Sequence, residues 1–447
     1  MENLTRLLEL YRDDERTQSI LTLLKSETPA RLQISGLTGA QESFVLSGIY
    51  LANPGNFLLI AEDKEDAAYL QNNLASLFDK KSIRFLPDSF KRPSNFEELN
   101  SNNVLQRTET INKITSSGAL GEIVVTYPEA LFEKVVAPSV LDEKRIEIQV
   151  GEETEIEFLT EILTVYGFKR EDFVYEPGQF SIRGGIVDIF SYGNEYPYRI
   201  EFLDEEVESI RSFNPTTQLS VRNIAKVSIV PNINTKFTQD QKVSVFQVLK
   251  ENTVVWVKDF ESLVGRLQTC FEEAEKFADR ISELDESELA EIFRDRAFIR
   301  PNEVISDIEA FPIISTSSQA QPKLQFGKKI SYNTKPQPSF NKNFNLLISN
   351  LNENASKGLE NYIFTESVKQ IERFYSIFED LEANVQFHPV NKAIHKGFID
   401  QDLKLACYTD HQIFERFHRY KLRKGFTKDQ AINLRMLREL VPGDFVT

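Results

Sequence analysis

Cysteine, histidine, methionine and tryptophan are all scarce in this chain of 447 residues, and each shortage removes a class of chemistry. The two cysteines, Cys270 and Cys407, stand far apart and have no C-x-x-C spacing. That excludes a disulfide framework or a zinc ribbon and fits the reducing cytosol, so a cytoplasmic location is expected. The four histidines, His388, His395, His411 and His418, fall late in the chain with Cys407 among them. Pairs seven apart do not match tight ligand spacings such as H-x₃-H, and no metal is expected. Long uncharged apolar runs are missing, which excludes a membrane-spanning helix. The opening stretch MENLTRLLELYRDDERTQ is charged within its first residues, unlike a secretory signal. Basic residues are outnumbered, 52 against 68 acidic, for a net charge of −16. A surface of that balance is no general nucleic-acid footprint, although one local basic patch is compatible with it.

What is present is 41% hydrophobic and 27% charged residues, the balance of a globular protein. One core does not fill this length, and about three domains are expected. Leucines at helical spacing open the chain as an amphipathic helix or pair of helices. Arg31-Leu32-Gln33-Ile34, Phe57 to Ala61, Arg84 to Pro87 and Ile123 to Thr126 read as strands. A helix bearing Ala68, Leu70, Leu74 and Leu77 lies among them. This alternation predicts a parallel sheet. Between Pro87 and Glu122 only a polar helix-like segment is expected. Later, Gln239 to Leu249 reads as a helix, Val254-Val255-Trp256-Val257 as a buried strand and Asp259 to Arg296 as an acidic helical segment. Ser315 to Asn345 reads as a proline-containing linker. Beyond it, strands are expected at Leu346-Leu347-Ile348, Tyr362-Ile363-Phe364 and Leu403 to Tyr408. Thr365 or Ser367 would cap a helix bearing Val368, Ile371, Phe374, Tyr375, Phe378 and Leu381.

Two stretches carry the functional information. Gly36-Leu37-Thr38-Gly39-Ala40-Gln41-Glu42-Ser43 joins a strand to a helix, the scaffold of a phosphate-binding loop. Aligned from Gly36 on the pattern G-x-x-x-x-G-K-[ST], Gln41 replaces the second glycine, Glu42 replaces the lysine, and Ser43 keeps its place. A carboxylate where the lysine meets a triphosphate repels the ligand. The plainer reading, a strand–turn–helix with chance glycines, makes the same prediction about ATP. The second stretch is YEPGQFSIRGGIVDIFSYGNEYPYRIEFLDEEVESIRSFNPTTQ, from Tyr175 to Gln218. Two short strands flank turn residues within it. Strand alternation puts Tyr198, Ile200 and Phe202 on a core face and Arg199, Glu201 and Leu203 on the other. Arginine beside exposed apolar surface is the composition of a protein–protein contact, and a solvated strand face is the blander alternative.

The order G-Q-F, R-G-G-I-V-D-I-F and Y-R-I-E-F-L-D-E-E-V-E-S-I-R-S-F-N-P-T-T-Q resembles the module shared by the nucleotide-excision protein UvrB and the bacterial transcription-repair coupling factors. The resemblance implies that this module docks on the damage sensor UvrA. It places Arg183 and Arg199 where the family has UvrA-contacting arginines. Leu203 stands where coupling factors often carry an aromatic residue. UvrB keeps an intact phosphate-binding loop and coupling factors a decayed one, so the loop Gly36, Gly39, Gln41, Glu42, Ser43 points to the latter. UvrB also has an aromatic-rich DNA-clamping hairpin after the third strand. Phe90 and Phe96 are present there without a comparable tyrosine cluster, so no DNA clamp is expected.

The expected architecture is therefore α/β. A parallel-sheet UvrB-like body (1–138 and 232–337) is interrupted by a small α+β UvrA-binding insertion (139–231). A small α/β unit (338–418) and a basic tail (419–447) follow. The tail, with Arg419, Arg423 and Lys424, is a candidate anionic-partner patch, although such a run is more often a solvated helix. Its end, Leu440-Val441-Pro442-Gly443-Asp444-Phe445-Val446-Thr447, is similar to the start of the polymerase-interacting domain of coupling factors. The resemblance then implies a fragment of a longer protein. Its partner here would be UvrA. RNA polymerase and duplex DNA would be bound beyond residue 447, where ATP and Mg would serve a DNA translocase. No cofactor and no catalytic residue are expected here. The acidic groups Asp204-Glu205-Glu206 and Asp285-Glu286 read as solvated faces. The alternative is a UvrB-like nucleotide-dependent DNA-binding ATPase.

Overall fold

Val254–Val257 is buried at every position because it sits at the centre of a sheet covered on both faces. In a computed structural model of the chain, this sheet has seven strands. Their order is Lys328–Ser331, Arg31–Ser35, Ile313–Ser315, Val254–Val257, Phe57–Ile60, Ile123–Thr126 and Ile83–Phe85, and every pairing is parallel. The structure describes residues 2–416 apart from 27–28, 79–82, 93–94, 116–120, 138, 140–145, 193–195, 230–241, 284–296, 320–321 and 323. One face of the sheet packs Leu32, Phe57, Leu59, Val125 and Trp256 against Phe44 and Leu70 of the helices Gln41–Ala52 and Lys64–Leu77. The other packs Leu58, Val124, Val255 and Ile313 against Leu263, Leu267 and Val304 of Phe260–Glu283 and Pro301–Glu309. Asp63 caps the helix Lys64–Leu77 by accepting from the Asp66 amide at 2.9 Å.

The chain leaves this body after Val135–Val136 and builds a separate six-stranded sheet. Its order is Ser220–Asn223, Glu206–Phe213, Tyr198–Leu203, Ile186–Ile189, Gln179–Arg183 and Lys169–Arg170. All its pairings are antiparallel except the last. Its main core lies on one face, made with the helix Ile156–Val165 and the strand pair Ile146–Gln149 and Lys226–Ile229, and a small separate cluster of Val174, Phe190 and Phe213 is buried apart from it. The strand Tyr198–Leu203 accordingly alternates buried and less buried positions, as its sequence predicts.

A mixed five-stranded sheet closes the described chain. Its order is Thr334–Pro336, Phe398–Asp400, Leu405–Thr409, Glu360–Phe364 and His388–Val390. Its outer face packs Ile363, Ala406 and Tyr408 against Leu347, Leu351, Phe374 and Phe378. Its inner face, with Tyr362, Phe364, Phe398 and Leu405, joins the core that contains Leu32 and Phe44. The Phe44 ring lies 5.9 Å from Phe364 and 5.3 Å from Phe398. The unit read from sequence as 338–418 thus shares a core with the first body.

Several elements differ from the sequence reading. Leu346-Leu347-Ile348 lies in the helix Phe344–Ser356, opened by Asn343, whose side chain accepts from the Leu346 amide at 3.2 Å. A three-residue apolar run does not distinguish strand from helix, and the cap with Leu347 and Leu351 one turn apart decides it. Within Gln239 to Leu249, the described part is the strand Lys242–Val243, paired with Val135–Val136, followed by a 3₁₀ turn at Val245–Gln247. The expected linker 315–345 supplies edge strands to two sheets through Lys328–Ser331 and Thr334–Pro336. The helix from Asp259 is described as Phe260–Glu283, and the rest of that expectation lies outside the described residues. After Pro87 a short hairpin, Phe90–Arg92 with Asn95–Leu99, precedes the expected helix Ser101–Thr115. Its rings point into the protein. Phe90 and Phe96 stack edge-on at 5.2 Å, and Phe96 also meets Phe277 and Phe298 at 5.4 and 5.2 Å.

Candidate functional site

Strand register gathers the charged residues of the small module onto the face opposite its core. Ser181, Asp188, Arg199 and Arg211 form one row across four strands. Asp188 is fully buried and holds two guanidinium groups at once. Arg199 Nε and Nη2 donate to its two oxygens at 2.7 and 2.8 Å, and Nη2 also reaches Gln218 Oε1 at 3.0 Å. Arg183 Nη2 donates to Asp188 Oδ2 at 2.5 Å, while its Nη1 donates to the Asp172 carbonyl at 3.0 Å and Ser181 Oγ at 2.8 Å. Each guanidinium also covers a ring, Arg199 over Phe213 at 4.4 Å and Arg183 over Phe173 at 5.0 Å. The hydrogen bond that Arg199 donates to Asp188 raises the Arg199 pKa, outweighing the opposing effect of burial. Beside this pair, Glu201 accepts from Arg211 and from Ser209 Oγ.

The face that results is stiff and partly desolvated. The Arg199 side chain is 14% exposed and that of Arg183 34%. Leu203 is 65% exposed next to the turn at Asp204, whose φ is 56°. Arg183 and Arg199 are therefore brought together on one carboxylate, and Leu203 lies on the same strand as Arg199. Arg199 is more buried than a solvent-facing position suggests. The sequence reading did not single out Asp188, Arg211, Phe173, Phe213 or Gln218. The available signal was Asp188 itself, an acid within the apolar run Ile186-Val187-Asp188-Ile189-Phe190 where alternation alone does not require one.

The second candidate lies at the carboxyl-terminal ends of the parallel strands, where open α/β sheets bind ligands. Glu42 projects from the first turn of Gln41–Ala52 into the protein. It accepts from Trp256 Nε1 at 2.7 Å and Thr316 Oγ1 at 3.2 Å. Burial raises its pKa, opposed by Lys258, and Lys258 bridges on to both oxygens of Asp66 at 2.9 Å. The carboxylate at the lysine position thus has fixed partners within the fold. Gln41 is fully buried, and Ser43 is buried in the same turn. Gly36 and Gly39 both hold positive φ, 82° and 61°.

Among the described residues no group of three His, Cys, Asp or Glu side chains is placed to hold a metal ion, and no helix is long and apolar enough to cross a membrane. Arg419, Arg423 and Lys424, and the segment Leu440 to Thr447, lie outside the described residues, as does His418.

Residues 146–234 match the UvrB interaction domain family, and the six-stranded sheet with its paired arginines falls inside that span. Transcription-repair-coupling factor of Bacillus subtilis (strain 168) is 34% identical over 201 residues, covering 44% of this chain and 17% of the relative. The protein of the same name from Staphylococcus aureus (strain USA300) is 22% identical over 509 aligned positions, covering 99% of this chain and 43% of the relative. The chain spans less than half the length of these curated relatives. The resemblance read from the sequence, to the UvrB-homologous amino-terminal region of transcription-repair coupling factor, holds across nearly the whole chain.

Proposed function

We propose that this chain is a recruitment module of transcription-coupled repair in the cytoplasm. It binds UvrA through the open face of the six-stranded sheet, and so brings excision repair to a stalled RNA polymerase. The observation that carries the reading is the pair Arg183 and Arg199, fixed on the buried Asp188, with the exposed Leu203 at the end of the strand that carries Arg199. Pre-set guanidinium groups and an exposed apolar side chain on one strand present directional donors and a hydrophobic anchor, and the fixed guanidinium groups lower the ordering cost of binding. The chemistry is recognition, with no bond made or broken. Glu42, buried and partnered where a nucleotide-binding loop has lysine, supports a body that does not hydrolyse ATP. In this reading RNA polymerase and duplex DNA are engaged by sequence outside the chain, where ATP and Mg would serve a motor.

The test is co-elution of the purified chain with purified UvrA. Capture is expected for the native chain and loss for Arg183→Ala and Leu203→Ala, each with an unchanged melting curve. Absence of capture, or capture undiminished in both variants, overturns the assignment.

A further inference from the structure

The phosphate-binding-type loop is filled. The Ala40 amide, which in a working loop would point at a phosphate, donates to the Lys396 carbonyl at 2.9 Å. A Cβ placed on Gly39 would lie 2.6 Å from the Gly397 carbonyl oxygen and 2.9 Å from that of Lys396. A Cβ on Gly36 would lie 2.0 Å from the Tyr332 carbonyl oxygen. Main chain from the five-stranded sheet and its approach therefore occupies the concavity that small residues leave open for an anion. Gln41, standing at the second glycine position, completes the contact. Its Nε2 donates to Asp400 Oδ2 at 2.7 Å, and its Oε1 accepts from Thr334 Oγ1 at 2.7 Å.

Asp400 is itself fully buried and fully used. Oδ2 also accepts from the Tyr11 hydroxyl at 2.9 Å, and Oδ1 accepts from the amides of Asp402 and Leu403, both at 3.0 Å. The segment is held from behind as well, since the Gly397 amide donates to Gln412 Oε1 at 2.7 Å. Below it, Phe398 packs on Phe44 of the helix that the loop opens.

From this we infer that the loop Gly36–Ser43 serves as an intramolecular docking cleft, whose ligand is the segment Lys396–Asp400 of the same chain. A backbone carbonyl takes the hydrogen bond that a phosphate oxygen would take, and the residue that replaced glycine clamps the incoming strand. The inference goes beyond the charge at Glu42. Occupation by main chain is a second, independent barrier to nucleotide. Putting glycine and lysine back at 41 and 42 removes a clamp and leaves the plug in place. It also does not depend on UvrA binding, because none of these residues belongs to the inserted module.

The test is amide hydrogen exchange on the whole chain, followed by dialysis equilibrium with ATP and Mg. In the native chain the Ala40 amide is expected to be strongly protected although it lies at a loop. Gln41→Ala removes two side-chain hydrogen bonds and should speed exchange at Ala40 and across 396–403 roughly tenfold. Exchange of the strands between 179 and 213 should stay unchanged. Gln41→Gly combined with Glu42→Lys should take up no ATP at millimolar concentration. Exchange of native Ala40 at the rate of an open loop overturns the inference. So does a Gln41→Ala chain with unaltered exchange at 396–403, or a double variant that binds ATP while Ala40 stays protected. If the double variant fails to fold, the native and Gln41→Ala measurements decide. UvrA capture by Gln41→Ala should equal that of the native chain, so this result and that of the docking face are read separately.

Discussion

Asp188→Asn changes the proposed docking face by one atom and removes one charge, and its cost can be worked from the geometry. The native carboxylate is wholly buried and accepts three guanidinium hydrogen bonds, two from Arg199 and one from Arg183. Asparagine keeps the volume but turns one oxygen into a donor, which then faces another donor. Removing one partner of a buried ion pair costs about 3–5 kcal/mol. The Arg183 guanidinium is a third exposed and can rehydrate, so its share is about 0–1 kcal/mol. The Arg199 side chain, at 14% exposure, cannot do so without leaving Phe213. A local destabilisation of about 2–4 kcal/mol is expected, with the Arg199 side supplying most of it. Hydrogen exchange on the whole chain reads this directly. Amides in Ile186–Ile189 and Tyr198–Leu203 should open roughly 30-fold faster or more, while those in Val254–Val257 serve as an unaffected reference. Arg183→Ala should change the same amides by less than about fivefold. If Asp188→Asn moves them by less than about threefold, or no more than Arg183→Ala does, the carboxylate is not what fixes this face.

Other outcomes are expected. Leu203→Asp should leave the melting temperature within the scatter of surface substitutions, about 0.5 kcal/mol, and eliminate UvrA co-elution; a retained complex would remove Leu203 from the interface. Arg199→Lys keeps charge but loses the two-toothed contact on Asp188, so it should weaken capture without the repulsion that Arg199→Glu would place against that carboxylate. Glu42→Gln should raise the melting temperature more at pH 8 than at pH 5. Burial raises the Glu42 pKa above the ordinary 4.5, so in that window the folded state holds the proton more tightly than the unfolded one. Ionisation thus costs stability, and the native chain recovers it as the pH falls from above the raised pKa toward 4.5. A difference that is constant with pH, or larger at pH 5, contradicts the assignment.

The central parallel sheet was readable because its strands are continuous apolar runs separated by helical spacing, and the alternation of Tyr198, Ile200 and Phe202 against Arg199, Glu201 and Leu203 fixed which residues of the small module share a face. The candidate docking residues Arg183, Arg199 and Leu203 were picked out through the long ordered motif that carries them. Their mutual geometry was not, because Ser181, Asp188, Arg199 and Arg211 meet only through strand register, a property of pairing partners rather than of local spacing. Tertiary pairing likewise overrode local signals at Lys328–Ser331 and Thr334–Pro336, where proline-containing polar sequence became edge strands with their donors committed on one side only. The hairpin at Phe90–Arg92 and Asn95–Leu99 went unread because residues this polar pair only when Phe90 and Phe96 have a pocket to fill, and that pocket is lined by Phe277 and Phe298 from far along the chain.

In the proposed reading, a carboxylate at position 42 need not loosen the sheet around it. The ends of the parallel strands carry several polar and charged groups. Here they satisfy one another: Glu42 with Trp256 and Thr316, Lys258 with Asp66, Ser317 Oγ with Asp259 at 2.6 Å, and Asp88 with Lys64 at 3.0 Å and with Tyr127. Replacing lysine by glutamate would by itself leave a buried charge unpaired, a cost of several kcal/mol. Burial outweighs the attraction of Lys258, whose own ion pair is with Asp66, so Glu42 holds its proton more tightly and is satisfied by the hydrogen bonds from Trp256 and Thr316. In the proposed reading, strand ends whose charged groups are partnered within the fold have little to offer an incoming phosphate, although the buried Ser43 Oγ has no hydrogen-bond partner among the described residues. The inserted sheet does the opposite, keeping Arg183 and Leu203 turned outward on a rigid support. In the proposed reading, recognition lies on the small sheet at Arg183 and Leu203, while the strand ends of the large sheet are taken up by contacts within the chain.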